Sequence, residues 1–255
     1  MDPDTPSEHD DAEPVDARSA EPGPHDLGPA GAADAQAADT QDADSARFTA
    51  ELLAALAYGE QLGAERAQRS VDLAPDARAG REQQHIADLE RRNWELVDAR
   101  LHELKGEAYI DPVKPFFDAF FAQTEPADWV EAQTFHYVGD ALVSDFADEL
   151  VPLLDRVSGE VIRRALRDRE DQEGFALDEL KRVLADDPRL AERIADYARR
   201  IAGEALTQTS RALEATEGLR SLLGGSQAGK RFVLTLLDGH RQRLDRLGVE
   251  PIESE

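Results

Sequence analysis

From Arg47 onward, large apolar side chains return every third or fourth residue, with polar runs between them. That period fits an α-helix with one buried face, whereas a half-buried strand would alternate every second residue. Phe48, Leu52 and Leu56 lie four apart with Leu53 beside them, which predicts a first helix over residues 47–71. Pro75-Asp76 marks a turn, and a second helix follows over 77–104. Residues 110–121 read as an irregular piece. Asp128 and Glu131 have capping-box spacing at the start of a third helix, which ends near Val151, ahead of Pro152. Ser158 is the predicted N-cap of a fourth helix reaching Ala185. Asp187 and Pro188 supply cap and first helical position for a fifth, to Glu217, and a sixth spans 231–247 after a loop at 224–229. No segment sustains strand alternation. The ordered part is predicted to be all-α, with helices long enough for a bundle.

The chain before Arg47 differs. Residues 1–46 hold 13 Asp or Glu, one basic residue (Arg18) and six prolines, a net charge of −12. Such a segment has too little apolar surface to offset its ordering entropy. The expected organisation is therefore a disordered acidic tail over 1–46 and a helical domain over 47–250. The tail is expected to act as a solubilising, charge-repelling extension, the alternative being a docking segment for a basic protein partner. Over all 255 residues, 54 acidic side chains face 29 basic ones, a formal charge of −25. That argues against a surface for nucleic-acid phosphates or anionic lipid. With no cysteine, disulfides and thiolate metal sites are excluded. No apolar run is long enough to span a bilayer, and the sequence starts MDPDTPSEHDD without the basic and apolar regions of a signal peptide. A soluble, cytoplasmic protein is expected.

Some polar residues fall where the pattern demands apolar ones. On the second helix Ile86, Leu89, Trp94, Val97 and Leu101 define a buried direction. At roughly 100° per residue, Glu90 lies about 40° from the centre of that stripe and Asn93 about 20°. Glu60, in LAYGE, lies about 50° from the direction set by Phe48, Leu52, Leu53 and Leu56. Unpaired carboxylates on core faces are costly, so a metal, a basic partner or a shared proton should compensate. Glu82-x-x-His85 has metal-ligand spacing but sits on a poorer face, and His85 reads as a boundary or surface histidine. GGSQAGKR (residues 224–231) nearly matches a phosphate loop. It has Arg231 where a hydroxyl residue should bind Mg²⁺, and it follows a helix, so it reads as a connection.

Helical bundles that hold two metal ions take a carboxylate from each of two helices and a Glu-x-x-His from each of the other two. The third helix offers Asp140 one turn after His136, and the fourth offers Asp168, Asp171, Gln172 and Glu173 but no histidine. Together LAYGE, the Glu90 that follows thirty residues later ahead of Trp94-Glu95, TEPADWVE, YVGD followed by Asp145-Phe146, and RRIAGEALTQ carry a resemblance over residues 48–248. The chain resembles the ferritin-like proteins of actinobacteria, similar to the tRNA hydroxylase that modifies methylthio-isopentenyl-adenosine (MiaE-like). The resemblance implies a ferritin-like four-helix bundle with one or two additional C-terminal helices. It also implies a carboxylate- and histidine-bound di-iron site that activates dioxygen. By position, Glu60, Glu90 and Asp140 match the family's carboxylates, and the second-helix histidine falls on Asn93. The fourth-helix Asp-x-x-His falls on Asp168 and Asp171 or on Arg169 and Gln172. Either way both imidazoles are absent. If Arg169 points inward, its guanidinium could replace the metal charge.

The expected function is therefore a structural or interaction role for a bundle with a degenerate di-metal site, with no cofactor and no catalytic residue assigned. The alternative is an active di-iron oxygenase, with modified tRNA one conceivable substrate. There, Glu60, Glu90 and Asp140 would bind two Fe or Mn ions, and Asn93, His136, Asp168 and Asp171 would complete the shell. HRQRLDR (residues 240–246) is the nearest approach to a basic face and reads as a solvated helix surface. A homodimer is a candidate assembly.

Overall fold

The computed structural model of the protein describes residues 29–167, 169–218, 220 and 227–249. The chain divides into two units, residues 1–40 and 41–255. Among the described residues there is no strand, and the helices are α1 (Pro29–Ser70), α2 (Ala77–Glu103), α3 (Ile110–Gln123), α4 (Trp129–Leu150), α5 (Arg156–Ala165), α6 (Arg169–Asp186), α7 (Leu190–Ala215) and α8 (Gln227–Leu247). The all-α expectation holds. Among the described residues no helix is long and apolar enough to cross a membrane.

In the second unit, α4 is the central element. Its residues 132–139 are buried without interruption, which is why its sequence, TFHYVGDALV, is apolar on more than one side. One apolar cluster joins α4 to α6, α7 and α8 through Phe135, Val138, Leu180, Ile194, Ile201 and Leu244. A second joins it to α1, α2 and α5 through Leu52, Leu53, Val97, Leu101, Leu150 and Ile162.

Several boundaries differ from the pattern-based reading, each for a local reason. Helix α1 begins at Pro29, so residues 29–46 are helical and the predicted helix start at residue 47 is corrected; residues 1–28 of the expected tail lie outside the described residues. The added part, PAGAADAQAADTQDADSA, is rich in alanine, which forms helix well without contributing a core face, and residues 42–46 are exposed. The supposedly irregular piece is α3. Its Pro112 stands in the first turn, where no N–H is needed, and only Pro115 is inside the helix proper.

The predicted fourth helix is two. The N-cap is Asp155, whose Oδ1 accepts the N–H groups of Val157 (2.9 Å) and Ser158 (3.0 Å), while Ser158 itself is buried. α5 packs on α2 and α6 on α4, so the chain breaks between them to change neighbours. Asp187 and Pro188 form a turn ahead of α7 in which Asp187 Oδ1 accepts the Arg189 N–H (3.1 Å). The phosphate-loop look-alike ends inside α8; its residues 224–226 lie outside the described residues. The third-helix reading is close: the Asp128 side chain accepts the Glu131 N–H (3.1 Å), and Glu131 reaches back to the Ala127 N–H (2.8 Å).

Candidate functional site

The polar face of α2 is built by register. Gln83, Ile86, Glu90, Asn93, Val97 and Leu101 follow one another at spacings of three or four, and all are buried. Glu60 stands two turns after Leu53 on α1 and is 3% exposed; Glu90 is 2% exposed. On α6 the buried stripe is Arg169, Gln172, Ala176 and Leu180, while Asp171 is exposed and Asp168 lies outside the described residues. The fourth-helix register is thereby decided: Arg169 and Gln172 face inward.

Arg169 is the centre of the cluster. Its Nη2 lies 2.6 and 2.7 Å from the two oxygens of Glu60 and 3.4 Å from Glu90 Oε2. The cluster is only partly satisfied. Glu90 Oε1, Arg169 Nε, Asn93 Nδ2 and both polar atoms of Gln172 are buried without a hydrogen-bond partner. Burial pushes the Glu90 carboxyl up to about 8, because the attraction of Arg169 offsets only part of the desolvation and Glu60 and Asp140 repel a second negative charge. Burial likewise raises Glu60, against the pull of Arg169. For Arg169 burial disfavours the charge, but Glu60, Glu90 and Asp140 together outweigh it and hold the guanidinium protonated. At neutral pH the arrangement is thus a protonated Arg169 held against Glu60, beside a largely protonated Glu90.

Asp140, on α4, is partly buried and bound to His136: Nδ1 of the imidazole lies 2.8 Å from Asp140 Oδ2. The other ring nitrogen lies 3.2 Å from Gln83 Nε2 and 3.2 Å from Ser70 Oγ. An amide NH₂ can only donate, so His136 Nε2 accepts from Gln83 and the proton on Nδ1 goes to Asp140. Gln83 Oε1 in turn accepts from Gln133 Nε2 (2.9 Å). Both imidazole nitrogens are therefore engaged by protein groups.

Of the residues singled out from sequence, Glu60, Glu90 and Asn93 are buried as read, Arg169 is buried where the sequence left two registers open, and Asp140 pairs with His136 beside them. Glu82 and His85 are exposed, as expected of a coincidental spacing. Yet EQQH does hold one buried polar residue, Gln83, which sequence reading missed. The signal was present: Gln83 precedes Ile86 by three and Glu90 by seven, on the same face. Gln133, three residues before His136, could have been found in the same way.

As a metal centre the donor set does not fit. A guanidinium cation stands within hydrogen-bonding reach of both glutamates, and a divalent ion between them would meet like charge. Among the described residues no three or more His, Asp or Glu side chains are grouped so as to hold a metal ion. The sequence pattern of the family described as "Ferritin-like domain, actinomycetes" matches residues 43–226. No curated protein matches the chain.

Proposed function

The chain belongs to the ferritin-like domain family of actinomycetes, and on that footing we propose that it is a scaffold whose metal site has been replaced by a salt bridge and whose role is structural or interactive. One observation carries this reading: the Arg169 guanidinium occupies hydrogen-bonding positions on both Glu60 and Glu90. A guanidinium supplies positive charge and directed N–H donors to carboxylates, so it meets the electrostatic demand that a pair of ions meets in a metal-loaded bundle. It offers neither an open coordination position nor a change of oxidation state.

The likeness to the tRNA hydroxylases is read here as shared scaffold. Two positions where the resemblance calls for imidazole carry Asn93 and Gln172, whose neutral amides are weak donors toward iron. A formal charge of −25 also disfavours an RNA substrate. With oxygen chemistry set aside, function lies in what the helical surface and the acidic N-terminal segment engage.

The test is elemental analysis of the full chain, produced in medium supplemented with iron and manganese and purified without a metal-affinity tag. Far less than one metal per chain in a folded protein is the expected result. Two metals per chain, lost in a Glu60→Ala/Glu90→Ala double variant, would overturn the proposal.

A further inference from the structure

Among the described residues the exposed large apolar side chains are Leu153, Val157, Val233, Leu234 and Leu237. They are not scattered. Helix α8 runs antiparallel to α4, since Arg243 pairs with Asp145 while Thr235 Oγ1 donates to Glu149 Oε1 (3.3 Å). The first half of α8 therefore lies beside the end of α4. Leu153 stands one turn beyond Glu149, and Val157 is in the first turn of α5, so all five collect at one end of the bundle. On α8, Val233, Leu237 and Leu234 fall within an arc of about 100°, while Leu236 and Leu244 turn into the core. Leu234, at 65% exposure, is the most open of the five. A single exposed leucine is ordinary, but a concentrated group marks a contact surface.

Charges of both signs ring this patch. Lys230 lies one turn ahead of Leu234, Arg156 directly precedes Val157, and Asp148 and Glu149 come about one turn before Leu153. All four are exposed. Among the described residues neither cation pairs with a carboxylate, and neither carboxylate pairs with a cation. Burial and the repulsion of Asp145 and Glu149 push the Asp148 carboxyl up. The counter-charges that these groups lack are carried by the same patch on another molecule. Such a surface complements itself: about a two-fold axis, the cations of one copy meet the carboxylates of the other around a shared apolar centre. Asp148, Glu149 and the formal charge of −25 oppose an anionic lipid surface instead.

We infer that this end of the bundle is a homodimer interface. Val233, Leu234 and Leu237 of α8 pack against the same residues of a second copy, and Lys230 of each copy pairs with Glu149 of the other. The apolar centre is small, so the dimer is weak, with a Kd on the order of 10 μM. The interface does not rest on the reading of Arg169. Metal content tests that reading and molecular mass tests this one, so either can fail alone.

Sedimentation equilibrium of the full chain is the test, with circular dichroism as a check on folding. The average mass should rise from one chain toward two as concentration passes about 10 μM. Leu234→Asp sets a charge in the apolar centre and should raise the Kd at least about ten-fold. Should that variant disturb α8, Leu237→Asp makes the same test. Lys230→Glu and Glu149→Lys each bring like charges together and should weaken self-association about ten-fold, whereas an equimolar mixture of the two should restore it. The inference is overturned if the wild-type chain is still monomeric at about 200 μM, which would leave the patch to a different partner. It is equally overturned if both aspartate variants dimerise as wild type does, or if the mixture associates no better than its components.

Discussion

Two glutamates of this molecule, Glu90 and Glu179, are each about 2% exposed, yet their carboxyl groups are pushed in opposite directions. Burial raises both. At Glu179 it is overcome by hydrogen bonds from Arg182 (2.6 Å), Arg78 and the Trp129 indole (3.2 Å), and the group is held below the usual carboxylate range. Both its oxygens have donors, and its arginines are half-exposed, so the charge lies just beneath the surface. Glu90 has a single contact at 3.4 Å and an orphaned oxygen, and it shares its one cation with Glu60. Equal shielding from water thus gives unequal charge, and the number of donors decides. The Glu179 cluster is a completed structural ion pair. The Glu60–Glu90–Arg169 cluster leaves both an acceptor, Glu90 Oε1, and a donor, Arg169 Nε, without a partner.

Removing the arginine should break the comparison most severely. Arg169→Leu leaves Glu60 and Glu90 without their guanidinium partner and should lower stability to denaturant by roughly 3–5 kcal/mol. Arg78→Leu leaves Glu179 with Arg182 and Trp129, so the loss of a half-exposed partner should be near 1 kcal/mol.

Rebuilding the site sharpens the same contrast. Asn93→His, Arg169→Glu and Gln172→His together restore the two Glu-x-x-His pairs of a metal bundle. The triple variant should take up Co²⁺ with visible ligand-field absorption, whereas the wild-type chain should show none.

The two glutamates should also respond oppositely to pH. The folded value of Glu90 is raised to about 8 from an ordinary 4.5, so between these values the native state holds the proton more tightly than the unfolded chain. Its contribution is fully present below about 4.5 and is lost as pH rises through about 8. Glu179, held low, contributes above its unfolded value and loses that contribution as pH falls through its lowered folded value. Urea unfolding from pH 5 to 9 should show a decline toward alkaline pH that Glu90→Gln removes and Glu179→Gln leaves in place. At neutral pH Glu90→Gln should change stability by less than about 1 kcal/mol, because a protonated carboxyl and an amide are near-isosteric neutral groups.

The smallest effect belongs to the motif that resembles a metal site most closely. Glu82→Ala and His85→Ala, both exposed, should each leave stability within about 0.5 kcal/mol of wild type.

How far these features could be read from sequence depends on which interactions set them. The inward turn of Glu60, Glu90 and Asn93 follows from helix geometry alone, once neighbouring apolar residues define the face. The register of α6 did not: Asp168 and Arg169 are adjacent, as are Asp171 and Gln172, and a slip of one residue exchanges an acidic pair for Arg169 and Gln172. Tertiary packing settles it, by ending α5 against α2 and starting α6 against α4. No proline or glycine marks that break at residues 166–168. Helix α3 was hidden by Pro112 and Pro115, and the start of α1 by alanines, which show no amphipathic period. The membership of Gln83 in the site was legible but was masked by the more conspicuous Glu82 and His85 beside it.

The position of Arg169 between two buried glutamates also bears on the history of the sequence. A lineage that acquired this arginine cannot easily retrace its steps. Losing Arg169 first leaves two acids facing each other without a counter-charge, and regaining an imidazole first sets a new base beside a resident cation. On the proposed replacement, each single-step reversal would pass through a less stable protein, and selection for folding alone would be enough to entrench the change.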